Sequence, residues 1–480
     1  MTRRVFPQIY FYDQDFIDIY ERTWRHIENY WQPVKQGLDQ KFFFYPMQEG
    51  RFIEQYASLF STFFLVYSNR NYIAETNIDY FYKKQEATGA IRSKYNLETG
   101  EPIITKENPE GIGIPIFAWI EYNIYHKTAN KKRLKEVLPI LENHLMWIVH
   151  NFRDSSGLFS APVTSMNIGN SPRKNVKFPI DFNACVALNA LYLSEIADLL
   201  NEKDIQFKYK KLYFSIKTKI NEKMWDPETK FYYDLDEHFN FLHVKTIFSY
   251  WTMIAEIPNE EKTEILVEYL SDPAYFGSEH PFPSLAISEP TFSDKGNGYC
   301  GSVFPELNYM VIKGLQKYKY FELAREYSIR HIYYVLETIS PSEKGQVPKE
   351  SIAFWEAYNP IKEGPALWQR HNWFPRNDYM LTEGLSTIAL MIENVLGLEI
   401  SLPRKTIDWV IASIEEMGIQ NLSLKKNMIR RIVTKQTIRG WEIKIENEKL
   451  YYFTINILDQ GKFKRLPIPS GTCSMLIEKL

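Results

Sequence analysis

The segment SIAFWEAYNP, residues 351–360, places one carboxylate among large aromatic rings. Glu356 follows Trp355 directly and precedes Tyr358 by two positions. Aromatic neighbours that remove water from a carboxylate raise its pKa toward the range of a general base or acid. We therefore take Glu356 as a candidate catalytic residue. Its neighbours are candidate substrate-binding residues: Trp355, Tyr358 and Asn359. A surface glutamate at a helix start, or one paired with an arginine, is the alternative interpretation.

The segment MQEGRFIEQY, Met47–Tyr56, combines an arginine with acidic and aromatic residues. The planar guanidinium of Arg51 has the geometry to hold two sugar hydroxyls. We expect Arg51, Glu54 and Tyr56 to bind substrate. A structural network between the arginine and its neighbouring glutamates remains equally open.

The segment TSMNIGNSPRK, Thr164–Lys174, is a polar run that ends shortly before a helical pattern. Asn170 and Arg173 are candidate substrate-binding residues. Asp181 is expected at the N-cap of the next helix, where its carboxylate accepts backbone N–H bonds. Capping lowers the pKa of a carboxyl group, so Asp181 can act as an acid only if burial dominates. It is our second candidate catalytic residue.

Two further loops carry residue types suited to a polyhydroxylated ligand. In residues 296–309, small residues flank Tyr299 and allow the backbone to approach a ligand closely. Residues 366–379 include His371 and Trp373, which offer hydrogen bonding and stacking. Both loops therefore add candidate substrate-binding residues.

Composition excludes several classes of function. The nine histidines show no pair at metal-ligand spacing, and the three cysteines are far apart, so we expect no metal, no other cofactor and a reducing, cytoplasmic environment. The net charge of −2 without a basic tract argues against nucleic acid, and no stretch approaches about 18 apolar residues, which argues against a membrane span. Aromatic residues make up 15%, which fits either a carbohydrate ligand or an aromatic core.

From residue 15 to about 400 the dominant hydrophobic period is that of a helix. Residues 133–152 and 181–200 each place apolar side chains on one stripe, and long loops rich in Gly, Pro, Asn and Ser separate such segments. This alternation predicts a mainly α protein, an (α/α)6 toroid of helical hairpins, over residues 1–405. After residue 400 the period becomes two, which predicts a small antiparallel β domain over residues 406–480.

Several motifs, in order, resemble the (α/α)6-barrel glycoside hydrolases of the trehalase, glycoside hydrolase family 63 and mannosylglycerate hydrolase group. EGRFIEQY is similar to a trehalase signature, NIGNSPRKNVKFPIDFNACVAL resembles the landmarks around the group's acid, and FWEAYNP resembles the segment of its base. The resemblance implies inverting hydrolysis by two carboxyl groups about 6.5–9.5 Å apart. It also implies that Glu356 is the base and that the usual acid position is held by Gly169.

The chain departs from the group's pattern at three places: Gly169, the segment ASLFSTFF (57–64) and the pair Cys300 and Phe304, which stand where tryptophans are usual. Another carboxyl group could replace the acid, and the candidates are Asp181, Glu49, Glu54, Asp378 and Glu289. Alternatively, the leaving group needs no acid, or the protein binds a saccharide without cutting it.

The first hypothesis is therefore an exo-acting, α-glycosidase-like hydrolase that acts on a small oligosaccharide or glycoside. The second is a non-catalytic carbohydrate-binding or regulatory protein on the same scaffold. The third is a sugar epimerase or a lyase, for which Tyr299 and His371 would be the central residues. The sequence leaves the sugar and the oligomeric state open.

Overall fold

The computed structural model describes residues 5–33, 41–43, 52–166, 171–339, 353–367, 377–412, 415–425, 427–458 and 462–479. Within these residues the chain forms twelve α-helices. They are α1 Gln14–Ile27, α2 Gln55–Leu65, α3 Thr76–Lys83, α4 Phe117–Thr128, α5 Lys131–Phe152, α6 Ile180–Leu200, α7 Lys203–Lys223, α8 Trp251–Ile254, α9 Glu260–Ser271, α10 Pro305–Lys317, α11 Phe321–Ile339 and α12 Met380–Gly384. Short 3₁₀ turns cover Glu28–Tyr30, Val163–Met166, Ile247–Tyr250 and Gly298–Cys300.

The twelve described helices alternate between two rings. Every residue of α2 is buried, and so is nearly every residue of α6, because their sequences are apolar or small all round. The odd-numbered helices instead bury one stripe; α1, for example, buries Phe16, Tyr20 and Trp24 and exposes its charged face. The even-numbered helices touch in the cyclic order α2, α4, α6, α8, α10, α12 and back to α2. This closed inner ring inside an outer ring confirms the predicted (α/α)6 toroid.

The strands divide into small hairpins within the barrel and two larger sheets near the C-terminus. They are β1 Gln8–Tyr10, β2 Trp31–Pro33, β3 Lys41–Phe43, β4 Phe52–Glu54, β5 Lys94–Asn96, β6 Trp225–Asp226, β7 Phe231–Tyr232, β8 Asp234–Leu235, β9 Phe241–Leu242, β10 Leu398–Ser401, β11 Thr406–Ile411, β12 Met417–Leu424, β13 Asn427–Gln436, β14 Gly440–Asn447, β15 Tyr451–Ile457, β16 Lys462–Ile468 and β17 Gly471–Glu478. The pairs β2–β3, β4–β5, β6–β7 and β8–β9 are the hairpins.

The C-terminal region is the predicted β domain. One sheet has the order β1-β12-β13-β14-β17 and the other β10-β11-β15-β16, and every pair is antiparallel except β11 with β15. Buried and exposed residues alternate along β14 and β15, as expected for a sheet covered on one side. The first sheet recruits β1 from the N-terminal end of the chain, and the second already begins at Leu398.

Short connections join α4 to α5, α6 to α7 and α10 to α11, so each of these outer helices runs back along the inner helix before it, and the inner helices point the same way. Their first residues gather at one end of the barrel, which we call the N-terminal mouth; it contains the beginnings of α2, α6, α10 and α12. Their last residues gather at the C-terminal mouth, where α4 and the helix after α12 contact β10. The β domain therefore covers the C-terminal mouth and leaves the N-terminal one for a site. No helix of the described residues is both long and apolar enough to span a membrane.

Candidate active site at the N-terminal mouth of the barrel

The loop that carries Glu356 is held by backbone hydrogen bonds on several sides. Tyr358 exchanges N–H···O bonds with Val303 at 2.8 and 2.9 Å, immediately before α10. The N–H of Gly364 donates to Oγ1 of Thr338 in α11 at 3.1 Å. The N–H of Tyr379 donates to the carbonyl of Phe354 at 3.1 Å and joins the loop to the start of α12. These anchors fix Glu356 between two inner helices.

Glu356 itself is 9% exposed and lies in a loop of buried residues. The Trp355 N–H donates to the hydroxyl oxygen of Tyr358 at 3.1 Å. Asn359 accepts through Oδ1 from the N–H groups of Ile361 and Lys362 at 2.9 and 3.1 Å, which closes the turn that follows. Burial raises the pKa of the Tyr358 hydroxyl, so this side chain stays neutral. Direct ligand contact by any of these neighbours stays a prediction.

Arg173 forms a fully buried ion cluster with two carboxylates. Its Nη1 and Nη2 donate to the two oxygens of Asp181 at 2.7 and 2.8 Å. Its Nε and Nη2 donate to Asp234 in β8 at 2.7 and 2.8 Å. The side chains of Arg173 and Asp181 have no exposed surface. Burial opposes the charge of Arg173, but the two carboxylates outweigh it and raise its pKa above the ordinary value.

The ion cluster places Asp181 differently from the sequence expectation. The N-cap of α6 is Pro179, and Asp181 is the second helical residue, so the prediction that it caps the helix is wrong. Asp234 accepts a hydrogen bond from the N–H of Ile180 at 2.8 Å and so satisfies one of the free backbone N–H groups at the start of α6. The cluster thus ties β8 and the start of α6 to Arg173, which belongs to the polar run Thr164–Lys174.

A row of aromatic rings leads from the ion cluster to the start of α10. The guanidinium carbon of Arg173 lies 4.9 Å from the ring centroid of Phe248. Phe248 contacts Tyr299 at 5.8 Å between centroids, and Tyr299 stacks on Phe304 at 4.3 Å with an interplanar angle of 12°. Phe304 is the N-cap of α10 and Tyr299 is only half-buried, so the row ends in a partly exposed ring at the mouth.

Tyr56, in the first turn of α2, joins this group from the opposite side. It is buried, and burial followed by the charges of Glu306 and Tyr299 raises its pKa. Asp181 and Cys185 of α6 act on its pKa in the same direction, so groups of α6, of α10 and of the turn that contains Tyr299 all influence this hydroxyl. Glu306, the second residue of α10, is itself 4% exposed.

The remaining sequence candidates make other contacts or fall outside the described residues. Oε1 of Glu54 accepts from Nζ of Lys94 at 2.8 Å across the β4–β5 hairpin. Oε1 of Glu289 accepts from the N–H of Lys245 at 2.9 Å, and the carbonyl of Asp378 accepts from the Tyr30 hydroxyl at 2.9 Å. Five residues lie outside the described part of the chain together with Gly169: Glu49, Arg51, Asn170, His371 and Trp373.

Three residues of this site were not identified from the sequence: Asp234, Phe248 and Glu306. Asp234 and Phe248 stand in segments without a motif, and only the fold brings them to Arg173. Glu306 did carry a signal, since it follows Pro305 at a helix start and precedes an apolar stripe. An acidic residue in a first helical turn is commonly explained by its interaction with the helix dipole. The sequence alone therefore did not identify Glu306 as part of the site.

Comparison with known proteins places this arrangement in a family. Residues 165–374 match the mannosylglycerate hydrolase MGH1-like glycoside hydrolase domain, and residues 397–480 match the trehalase C-terminal domain. The GH63 mannosylglycerate hydrolase of Thermus thermophilus, solved in complex with glucose, superposes with a TM-score of 0.58 at 15% identity and covers 78% of this chain and 98% of its own. The chain therefore contains a domain of the mannosylglycerate hydrolase MGH1-like glycoside hydrolase family followed by a trehalase C-terminal domain, and its fold is that of the (α/α)6-barrel glycoside hydrolases.

Two further proteins are similar to this chain over at least 72% of its length. An uncharacterized protein of Borreliella burgdorferi is 47% identical over 492 residues and covers all of both chains. The neutral trehalase of Saccharomyces cerevisiae superposes with a TM-score of 0.52 at 12% identity over 72% of each chain. The glycoside hydrolase match spans both Arg173 and Glu356, whereas the trehalase match begins one residue before β10.

The described residues contain no group of three or more His, Cys, Asp or Glu side chains arranged to hold a metal ion.

Proposed function

We propose that this protein hydrolyses a glycosidic bond of a small oligosaccharide or glycoside at the N-terminal mouth, with Glu356 as the general base. The observation that carries the proposal is the multiply anchored, buried loop around Glu356 in a chain of glycoside hydrolase ancestry. A hexose is the sugar class to test first, because the related Thermus thermophilus hydrolase was solved with glucose. The covered C-terminal mouth supports exo action, since a long polymer would not thread through the barrel.

We assign the second carboxyl group to Glu306 instead of Asp181. Both oxygens of Asp181 accept hydrogen bonds from the Arg173 guanidinium and its side chain has no exposed surface, so we take Asp181 as a positioning group. Glu306 is the second residue of α10 and follows Val303 by three positions. Because Val303 is the backbone partner of Tyr358, Glu306 is near the loop that carries Glu356. Its side chain is only 4% exposed, so it lies inside the mouth and not on the outer surface.

In the proposed reaction, Glu356 takes a proton from a water molecule while that water attacks the anomeric carbon. Glu306 gives its proton to the departing oxygen on the other face of the sugar, and the configuration inverts. This division of roles requires room for the water between the two carboxyl groups. Tyr299 and Trp355 are the aromatic residues that we expect beside the sugar.

The test compares Glu356→Gln and Glu306→Gln on trehalose, on 4-nitrophenyl α-glucoside and α-mannoside, and on α-glucosyl fluoride. We expect Glu356→Gln to lose turnover of every substrate and to keep binding. We expect Glu306→Gln to lose about 10²–10⁴-fold on trehalose and to retain hydrolysis of the fluoride, whose leaving group needs no proton. Glu363→Gln, exposed on the Glu356 loop, is the matched control and should behave as the wild type.

Full activity of Glu356→Gln on every substrate would overturn the assignment of the base. Equal losses of Glu306→Gln on the fluoride and on trehalose would overturn the assignment of the acid.

A non-catalytic saccharide-binding protein is the second candidate, favoured by Gly169 at the position where the family resemblance places an acid. Wild-type protein that binds a saccharide at the mouth but turns over none of the substrates, the fluoride included, would establish this alternative.

A further inference from the structure

The opposite end of the barrel contains a cavity of about 520 Å³ that has no part in the proposed reaction. Its walls come from residues of α4, α6, α8 and α10, from the start of α11, from the helical stretch after α12, and from three strands of the β domain, β10, β11 and β15. None of its lining residues belongs to the candidate active site. The volume lies within the range of small-molecule sites, and interfaces between domains are a common place for them.

Aromatic side chains from both domains line this cavity. They are Trp119, Tyr122 and Tyr192 from the barrel and Trp409 from the β domain; Tyr122 is the most exposed of the four, whereas Trp409 is fully buried. Between them stand amide and hydroxyl side chains that can exchange hydrogen bonds: Asn123, Gln316, Ser401, Thr406, Thr454 and Asn456. Flat apolar surfaces beside neutral donors and acceptors suit the two chemical characters of a sugar ring, its C–H face and its hydroxyl groups.

The floor of the cavity is fixed by a buried ion network. Glu393 accepts from the hydroxyls of Tyr67 and Tyr309 at 2.9 and 3.0 Å and from Nζ of Lys313 at 3.0 Å. Lys127 donates to Glu399 at 2.9 Å and to the carbonyl of Ile400 at 2.8 Å. Side chains held in this way lose little entropy when a ligand binds.

The charges at the cavity indicate a neutral ligand. Lys313 is compensated by Glu393, and Lys317 is compensated by Glu256 at 2.8 Å. Arg404 and Asp408 lie exposed at the rim and make no ion pair with any described residue; Arg404 donates instead to the Tyr122 hydroxyl at 3.0 Å. One cation and one anion offer a donor and an acceptor to hydroxyl groups without selecting a net charge.

We propose that this cavity is a second saccharide site that takes a neutral mono- or disaccharide. The site is separate from the N-terminal mouth and does not depend on whether hydrolysis occurs there. Helix α10 links the two places, because it presents Glu306 at its first turn and Lys313, Gln316 and Lys317 at its last turns.

The experiment uses full-length Glu356→Gln protein, which should bind sugars without consuming them. Glucose, mannose, trehalose and sucrose are titrated calorimetrically and soaked into crystals, with glucuronate and glucosamine as charged probes. We expect at least one neutral sugar to show two sites, one of them in the cavity beside Tyr122. Adding Arg404→Ala and Asp408→Ala should weaken only that site, by at least about tenfold, because hydrogen bonds to charged groups are lost.

The matched control adds Arg430→Ala, an exposed arginine of β13 outside the cavity, and should leave both sites intact. Binding at the mouth alone, binding that survives loss of Arg404 and Asp408, or occupation of the cavity only by a charged probe would each overturn the proposal. The proposed hydrolysis would stand in all three cases, since its test uses other residues and turnover.

Discussion

At the scale of residues, the site depends on Arg173 and the two carboxylates that hold it. The guanidinium uses four N–H···O bonds of 2.7–2.8 Å to join Asp181 of α6 to Asp234 of β8. Removal of one partner from a buried ion cluster leaves charge without compensation in a medium that solvates it poorly. Arg173 therefore maintains the shape of the mouth, beyond any contact it makes with a ligand.

Replacement of this arginine tests the cluster at the same scale. We expect Arg173→Met to lower the free energy of unfolding by about 3–5 kcal/mol, because Asp181 and Asp234 would face each other buried and unpaired. Arg25→Met is the matched control: Arg25 is 68% exposed, lies 3.4 Å from Glu21 and should contribute less than about 1 kcal/mol. Urea unfolding measures both variants, and equal effects would contradict a structural role for the cluster.

At the scale of elements, α12 shows how tightly the inner ring is packed. The helix continues beyond Gly384 through two π-helical stretches, Leu385–Ala389 and Met391–Val395. A Cβ at Gly384 would lie 2.5 Å from ring atoms of the buried Phe64 in α2. A glycine at this crossing lets the two helices approach and thereby closes the ring between its first and last members.

The corresponding prediction weighs helix propensity against packing. Alanine is favoured over glycine inside a helix by about 1 kcal/mol, but overpacking of a core costs about 1–3 kcal/mol. Since the Phe64 ring cannot move freely in this core, we expect Gly384→Ala to be destabilising by about 1–2 kcal/mol. Gly314→Ala in α10 is the control, because its nearest contact is the Met253 Cβ at 3.0 Å. A denaturation midpoint for Gly384→Ala at or above that of Gly314→Ala would refute this explanation.

At the scale of the whole molecule, the β domain and the barrel act as one unit through the C-terminal mouth. Nδ1 of His126 in α4 lies 2.7 Å from Oγ of Ser401, and the carbonyl of His126 accepts from the N–H of Leu402 at 2.8 Å. Burial, followed by the nearby charges of Arg404 and Lys127, lowers the pKa of His126 from its ordinary value of 6.5 to about 4. The junction therefore contains a histidine that is neutral in the folded protein.

This histidine predicts a contribution of the junction to acid sensitivity. Because the folded pKa is depressed, the unfolded chain binds more protons between pH 4 and 6.5, so stability is lost as the pH falls through that interval. At pH 5 the loss attributable to His126 is about 2 kcal/mol relative to pH 7.5. We expect His126→Gln to lack this part of the decline in urea unfolding. His150→Gln, exposed on α5, is the control and should retain the wild-type profile.

The helical period determined the long helices nearly to the residue, since the predicted 181–200 and 133–152 are observed as Ile180–Leu200 and Lys131–Phe152. Local chemistry also marked Glu356, because its aromatic neighbours are adjacent in the chain. Hydrophobic periodicity could not predict that β1, near the N-terminus, pairs with β12 of the C-terminal sheet. Such a pairing joins segments that are far apart in the chain, and periodicity describes only neighbouring residues.

The sequence by itself thus determined the fold class, the glycoside hydrolase resemblance and the candidate base, all of which rest on patterns within a few turns of chain. Only the tertiary structure decided that Asp181 binds Arg173, that Asp234 completes this cluster, and that the charge of Glu306 acts on Tyr56. The physical reason is the separation along the chain between the residues that interact. Hydrophobic periodicity is a local property, whereas the partner of a buried charge is chosen by whichever distant segments the closed ring of helices brings within hydrogen-bonding distance.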